Sequence, residues 1–224
     1  MSTRVVPLKL ARLISLFLAF AFGTIGGSVG LNGLIKSNQS KSSLRKVLPA
    51  GITVAIGIND VYHSGVVLTT VCTLIAVLST LFILLTLWSS TQRAASASGK
   101  PDLATRTLPL QSIVLGFCSV WLFATIIPFT DFFANRAANI AAFLNGVQLP
   151  PAAVSAAQQS LGATSVYHKL YYLRLVAVLP WFTFLFSSIA AAVLFLAARR
   201  SRTLTEQHQP ATDVSEKQQI ETEA

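Results

Sequence analysis

Four long apolar runs, each free of Asp, Glu, Lys and Arg, set the pattern along the chain: residues 13–35, 66–88, 109–130 and 175–198. The first, Leu13 to Ile35, has 23 residues. A helix that crosses a bilayer needs about 20, and the apolar core of a cleaved signal peptide has roughly 7–15. The pattern predicts a retained membrane helix here and three more behind it. The expected fold class is therefore an all-α membrane protein, a four-helix transmembrane bundle over residues 1–202.

The stretches between the runs have patterns of their own. Residues 36–62 open with Lys36, Lys41, Arg45 and Lys46, after which Ile52, Val54, Ile56 and Ile58 alternate with Thr53, Ala55 and Gly57. A period of two predicts a strand or extended segment with one apolar face. Residues 89–108 are small and polar around the turn signal Gly99-Lys100-Pro101-Asp102, and predict a flexible loop. In residues 132–170, Phe132, Phe133, Ala137, Ile140, Ala141 and Leu144 fall at helical spacing, and an Ala-rich piece follows Pro150-Pro151 as far as Gly162. Two short amphipathic surface helices are expected there. Asp131 should stop the third helix, with Pro128 loosening its last turn. Beyond Arg199, Arg200 and Arg202 the tail, residues 203–224, carries five acids among Gln and Thr, which predicts a disordered acidic cytoplasmic tail.

Composition agrees with a lipid solvent. Of 224 residues 53% are hydrophobic and only 11% charged, against about 25% charged in a soluble domain, and the mean hydropathy is +0.62. The net charge of +9 comes from short basic groups at the ends of apolar runs, which suits a bilayer edge and forms no stripe for nucleic acid. Four spans put both termini on one side, with Arg4, Lys9, Arg12, Arg93, Lys100, Arg106, Arg199, Arg200, Arg202 and Lys217. Lys36, Lys41, Arg45, Lys46, Arg136, Lys169 and Arg174 lie on the other. The excess favours cytoplasmic termini, in a plasma membrane or endomembrane. Asn38-Gln39-Ser40 is a glycosylation sequon, and modification of Asn38 would mark its loop as lumenal or extracellular. Cys72 and Cys118 sit inside apolar runs as small hydrophobes, with neither disulfide nor metal spacing.

The two halves share four short matches in the same order. Arg4-Val5-Val6-Pro7-Leu8 parallels Arg106-Thr107-Leu108-Pro109-Leu110, and Phe22-Gly23-Thr24-Ile25 parallels Phe123-Ala124-Thr125-Ile126. Leu48-Pro49-Ala50 resembles Leu149-Pro150-Pro151-Ala152, and Val61-Tyr62-His63 recurs as Val166-Tyr167-His168. Such order suggests a tandem duplication of a two-helix hairpin, with the repeats related by an axis along the membrane normal. The glycines are not shared. Gly23, Gly26, Gly27 and Gly30 give the first helix small residues four apart, which let another helix backbone approach closely. That face is either a close-packing seam inside the bundle or the surface of a homo-oligomer.

Candidate chemistry gathers at the outer ends of the helices. Asp60, His63, Asp131, His168 and Arg174 form a candidate outer-face polar cluster. The two histidines could hold a metal, shuttle a proton or titrate between about pH 5 and 8. Their neighbouring tyrosines equally fit plain interfacial anchoring, and no His-x-x-x-His or His-x-x-Glu spacing supports a metal centre. Asp131 and Arg174 could pair across adjacent helices or snorkel separately. There is no His-Glu-x-x-His and no pair of intramembrane aspartates, so an enzyme, a cofactor and a metal are not expected. The spans also lack ionisable residues at mid-depth, where coupled transporters use them.

The two-loop, four-span plan resembles tetraspan families such as the claudin-like, MARVEL and fungal cortical-patch proteins. The likeness is one of architecture. The Trp and paired Cys of a claudin first outer loop are missing between Lys36 and Tyr62, and no site residue carries over. The expectation is a membrane-organising, adaptor or scaffold protein working by lateral packing with other membrane proteins or with itself. The alternative is a small oligomeric transporter or channel subunit.

Overall fold

The computed structural model describes residues 6–47, 52–57, 59–95, 107–135, 139–144, 147–152, 154, 156 and 171–222. Four helices carry it: α1 (Val6–Val47), α2 (Asn59–Ala95), α3 (Leu108–Asn135) and α4 (Tyr171–Thr222). Each contains a segment long and apolar enough to cross a membrane: Lys9–Ser40, Val61–Trp88, Leu108–Asn135 and Tyr171–Ser201. The four together fit a multi-pass membrane protein. The helices are apolar nearly all round, as lipid-embedded helices are, and α3 turns Ile113, Phe117 and Val120 outward with about two thirds of each side chain exposed.

The helices pack in ring order α1-α2-α3-α4, each against two neighbours. Leu16, Leu68, Ile75, Leu115, Leu122, Ile126, Phe129 and Leu194 fill the centre. The chain begins and α4 leaves the bundle at one end, the terminal end. The other end carries a small antiparallel sheet in the order β1-β2-β3, with β1 (Ile52–Gly57), β2 (Asn139–Leu144) and β3 (Val147–Gln148). Pairing runs from Ile52 opposite Leu144 to Gly57 opposite Asn139, and Leu144 opposite Val147 closes the second pair.

The strand expected from the alternation at Ile52 is β1. The segment expected as a surface helix from Phe132 to Leu144 divides instead: α3 continues to Asn135 and β2 begins at Asn139. Asp131 does not stop α3. It accepts a hydrogen bond from Asn135 Nδ2 one turn on, at 2.7 Å, a pairing that supports a helix rather than ending it. β2 is extended because its partner strand is available, and a cross-strand ladder overrides weak local periodicity. Leu144 and Val147 flank Asn145-Gly146, the dipeptide most favourable to a two-residue hairpin. Most of the Ala-rich piece ending at Gly162 lies outside the described residues.

All four helices outrun the apolar runs, α2 reaching Ala95 into the stretch expected as a flexible loop, and α1 and α4 extend furthest. α1 continues beyond Ile35 to Val47, since no Gly or Pro interrupts Lys36 to Val47, and Leu48 before Pro49 is the first residue that resists helix. α4 continues through Thr222, over the tail expected to lack structure. Extending an existing helix needs no new nucleus, and the tail's Glu, Gln, Lys and Ala favour helix, though Pro210 removes one donor.

The interior differs from end to end. Among the described residues the buried polar side chains are Ser15, Ser79, Thr86, Gln111, Ser112, Ser119, Thr183 and Ser187. Thr183 lies near mid-depth and all the others lie in the terminal half. Toward the sheet, the buried positions include Val61, Leu68, Val71, Ile126, Phe129, Val176 and Ala177.

Candidate functional site

The glycines of α1 face its two neighbours. A Cβ on Gly23 would sit 3.1 Å from the Ala76 nitrogen and the Cys72 carbonyl of α2, both backbone atoms that cannot turn away. A Cβ on Gly26 would lie 3.0 Å from Thr183 Oγ1 of α4 and 3.2 Å from Cys72 Sγ. Gly27 faces Thr73 Oγ1 at 2.7 Å, Gly30 collides with Thr69, and Gly33 meets Val176 at 3.0 Å. Glycine here is a matter of space: the helices lie so close that a methyl group has no room. Thr183 Oγ1 donates to the Phe22 carbonyl at 2.8 Å, tying α4 to α1 at this depth.

The α3–α4 contact is built from side chains. Ser119 Oγ donates to Ser187 Oγ at 2.8 Å, and Ser112 Oγ donates to the Ala191 carbonyl at 3.1 Å. Phe123 stacks on Phe184 at 4.9 Å and meets Trp181 edge-on at 6.2 Å. On the other flank of α4, Phe22 stacks on Phe186 and Phe182 at 4.5 and 5.8 Å. The matched residues Phe22 and Phe123 thus both rest on the aromatic surface of α4, while the glycine contacts belong to α1.

At the terminal end, Arg12 Nη2 donates to Thr86 Oγ1 at 3.1 Å, joining α1 to α2. Gln111 donates to Thr107 Oγ1 at 3.0 Å and keeps Oε1 without a partner, and Ser79 Oγ, fully buried, has none either. Gln111 and Ser79 were not singled out in the sequence, because an isolated Ser or Gln in an apolar helix gives no periodic signal.

Of the expected outer cluster, three side chains are described, those of His63, Asp131 and Arg174. His63 is exposed near the start of α2 and packs edge-on against Tyr62 at 6.0 Å. Asp60 lies in the first turn of α2, without a described side chain, and His168 is outside the described residues. Asp131 and Arg174 are both exposed, and no ion pair joins them: Asp131 takes its hydrogen bond from Asn135 of its own helix. A contact not foreseen stands nearby, with Lys36 Nζ 6.0 Å from the centre of the Tyr172 ring, linking α1 to α4 below the sheet. Asn38 is exposed but lies within α1, where Ser42 Oγ donates to its carbonyl at 3.0 Å, and not in a loop. Among the described residues no group of three His, Cys, Asp or Glu could hold a metal ion.

Gly26-Gly27-Ser28-Val29-Gly30 has the Gly-x-Ser-x-Gly spacing of a hydrolase nucleophile. That chemistry requires the serine on a sharp strand-to-helix turn, whereas Ser28 lies in the middle of α1. It borders a groove of ≈ 400 Å³ between α1 and α2, with Thr24, Thr69, Thr73 and Thr80. Each of these threonines donates to a carbonyl of its own helix at 2.7–2.9 Å. The threonine hydroxyls along the groove are thus engaged within their own helices. Compared with known proteins, the chain matches no family model, no curated protein and no solved structure, so its geometry alone carries the functional reading.

Proposed function

We propose that this chain is a membrane-organising or adaptor protein, a tetraspan-type bundle that presents a small sheet beyond one membrane surface. The carrying observation is the filled centre of the bundle. Leu16, Leu68, Ile75, Leu115, Leu122 and Leu194 are at most 1% exposed, so apolar side chains occupy the axis along which a single copy would have to conduct. The exposed polar residues stand apart, which favours a surface for contacts over a reaction centre. The excess of basic residues favours cytoplasmic termini, and the four matches in the same order between the two halves of the sequence favour a duplicated hairpin.

Purified full-length protein in phosphatidylcholine vesicles tests the reading. Vesicles as tight to ions and small solutes as protein-free ones, with recovery of the protein in complexes from its native membrane, are the expected result. Protein-dependent flux would overturn it in favour of an oligomeric channel or transporter subunit.

A further inference from the structure

β1 is an edge strand of the sheet, with no further strand paired to it among the described residues, and the hydrogen-bond register shows which backbone groups stand on that edge. The Leu149 nitrogen donates to the Ala142 carbonyl at 2.8 Å, so Ala142 directs its backbone groups toward the β3 side of β2. Neighbouring residues of a strand direct theirs to opposite sides, and residues opposite one another share a pair type. Asn139, Ala141 and Phe143 therefore bond β1 through their partners Gly57, Ala55 and Thr53. The N–H and C=O groups of Ile52, Val54 and Ile56 are left pointing away from the sheet.

Natural edges are protected by charge, proline or a bulge. Ile52–Gly57, ITVAIG, contains no charge and no proline, and pairs with β2 through six consecutive residues without a bulge. We propose that this edge is a self-association site, where β1 of one copy pairs antiparallel with β1 of a second copy. The occupant follows from the edge. An uncharged strand offers no charge for an acidic or basic partner to match, while the same sequence reversed about Val54 is complementary to it. Val54 then faces Val54 of the second copy and Ile52 faces Ile56, giving three bonded pairs and about six hydrogen bonds. Such a pair is twofold and closed, so it ends at a dimer with one continuous six-stranded sheet. The proposal gives the organising reading its contact surface and rests on that reading only for its purpose.

Backbone pairing has a signature that side-chain contacts lack. The N–H of Val54 is not used by β2, so Val54→Pro should leave the three-stranded sheet and the helices intact and remove the dimer. Val54→Thr, which keeps the N–H, should keep it. Photobleaching steps counted on full-length tagged protein, diluted in phosphatidylcholine vesicles, should show mostly two steps for the wild type and Val54→Thr. Val54→Pro should show at least tenfold fewer, with an unchanged circular dichroism melt. Should Val54→Pro fail to fold, cross-linking decides. With Cys72 and Cys118 replaced by Ala, a short bis-maleimide should join copies carrying Val54→Cys and not copies carrying Gly57→Cys, which the twofold sets about 20 Å apart. A monomeric wild type, a Val54→Pro dimer as abundant as the wild type, or equal cross-linking at the two positions would overturn the proposal. Flux through a dimer that Val54→Pro dissociates would retire the organising reading and leave the pairing standing.

Discussion

The contacts of α1 and the contact between α3 and α4 hold helices together in two different ways. Along the glycine face of α1 the side chains are deleted: Gly23, Gly26, Gly27 and Gly30 bring the helices together, and the gain is van der Waals contact over that stretch. Between α3 and α4 the side chains do the joining, through Ser119 with Ser187, Ser112 with a carbonyl, and stacked aromatic rings. Lipid supplies no hydrophobic drive between helices, so both devices substitute for it. The first leaves no tolerance for added atoms. The second is a set of separate bonds, each replaceable at modest cost.

Substitutions should separate the two devices. The largest effect is expected for Gly23→Leu, which drives a branched side chain into the backbone of α2. A loss of about 3 kcal/mol, seen as failure to purify a folded bundle or a collapse of the thermal midpoint in detergent, is the expected outcome. A Gly23→Leu protein that melts like the wild type would show the helices free to move apart. Ser119→Ala and Ser187→Ala should each cost about 0.6 kcal/mol, at most ~1.7. The double variant should cost hardly more than either single one, because they break the same bond, and a double-mutant cycle on unfolding measures this. Ser79→Ala should act in the opposite sense. Its buried hydroxyl has no partner, so removing it should be neutral or stabilise by about 1 kcal/mol. Gly65→Ala and Gly116→Ala should do least. Their added methyls meet Phe129 at 3.5 Å and Ala191 at 4.0 Å, ordinary contact distances, and alanine favours helix by roughly 0.5–1 kcal/mol. A large loss at either would mean that every glycine in the bundle is a packing residue.

The contrast also shows where the sequence is legible. The four helices are, because charge-free apolar runs of bilayer length have few other solutions, and β1 is, because Ile52, Val54 and Ile56 alternate cleanly. β2 is not: Ala137, Ile140, Ala141 and Leu144 fit a helical face as well as they fit anything, and what selects a strand is a partner more than 80 residues away in sequence. The Asn145-Gly146 pair was the local clue. The spacing of the glycines could be read directly, but their opposite numbers could not. Cys72, Thr183, Ser119 and Ser187 acquire roles only from the register between helices, which is set by the packing itself. The pairing of Asp131 with Arg174 was not legible for the same reason. Asp131 and Arg174 belong to the same end of the molecule, yet the faces they occupy are fixed by how α3 and α4 are turned.

The uneven polarity of the interior gives the bundle a wet end and a dry end. Water molecules that enter transiently find buried donors and acceptors from Arg12 and Gln111 as far as Ser119 and Ser187, whereas beyond Thr183 the part-buried hydroxyls of Thr69 and Thr130 are already bonded to their own helices. Opening fluctuations should therefore travel inward from the termini and stall halfway. Amide deuterium uptake should reach residues 12–20 of α1 well before residues 26–33. The Cys72 thiol, beside Gly26 and Thr183, marks the tide line: a thiol reagent delivered from the terminal side should reach it only when the bundle has opened that far.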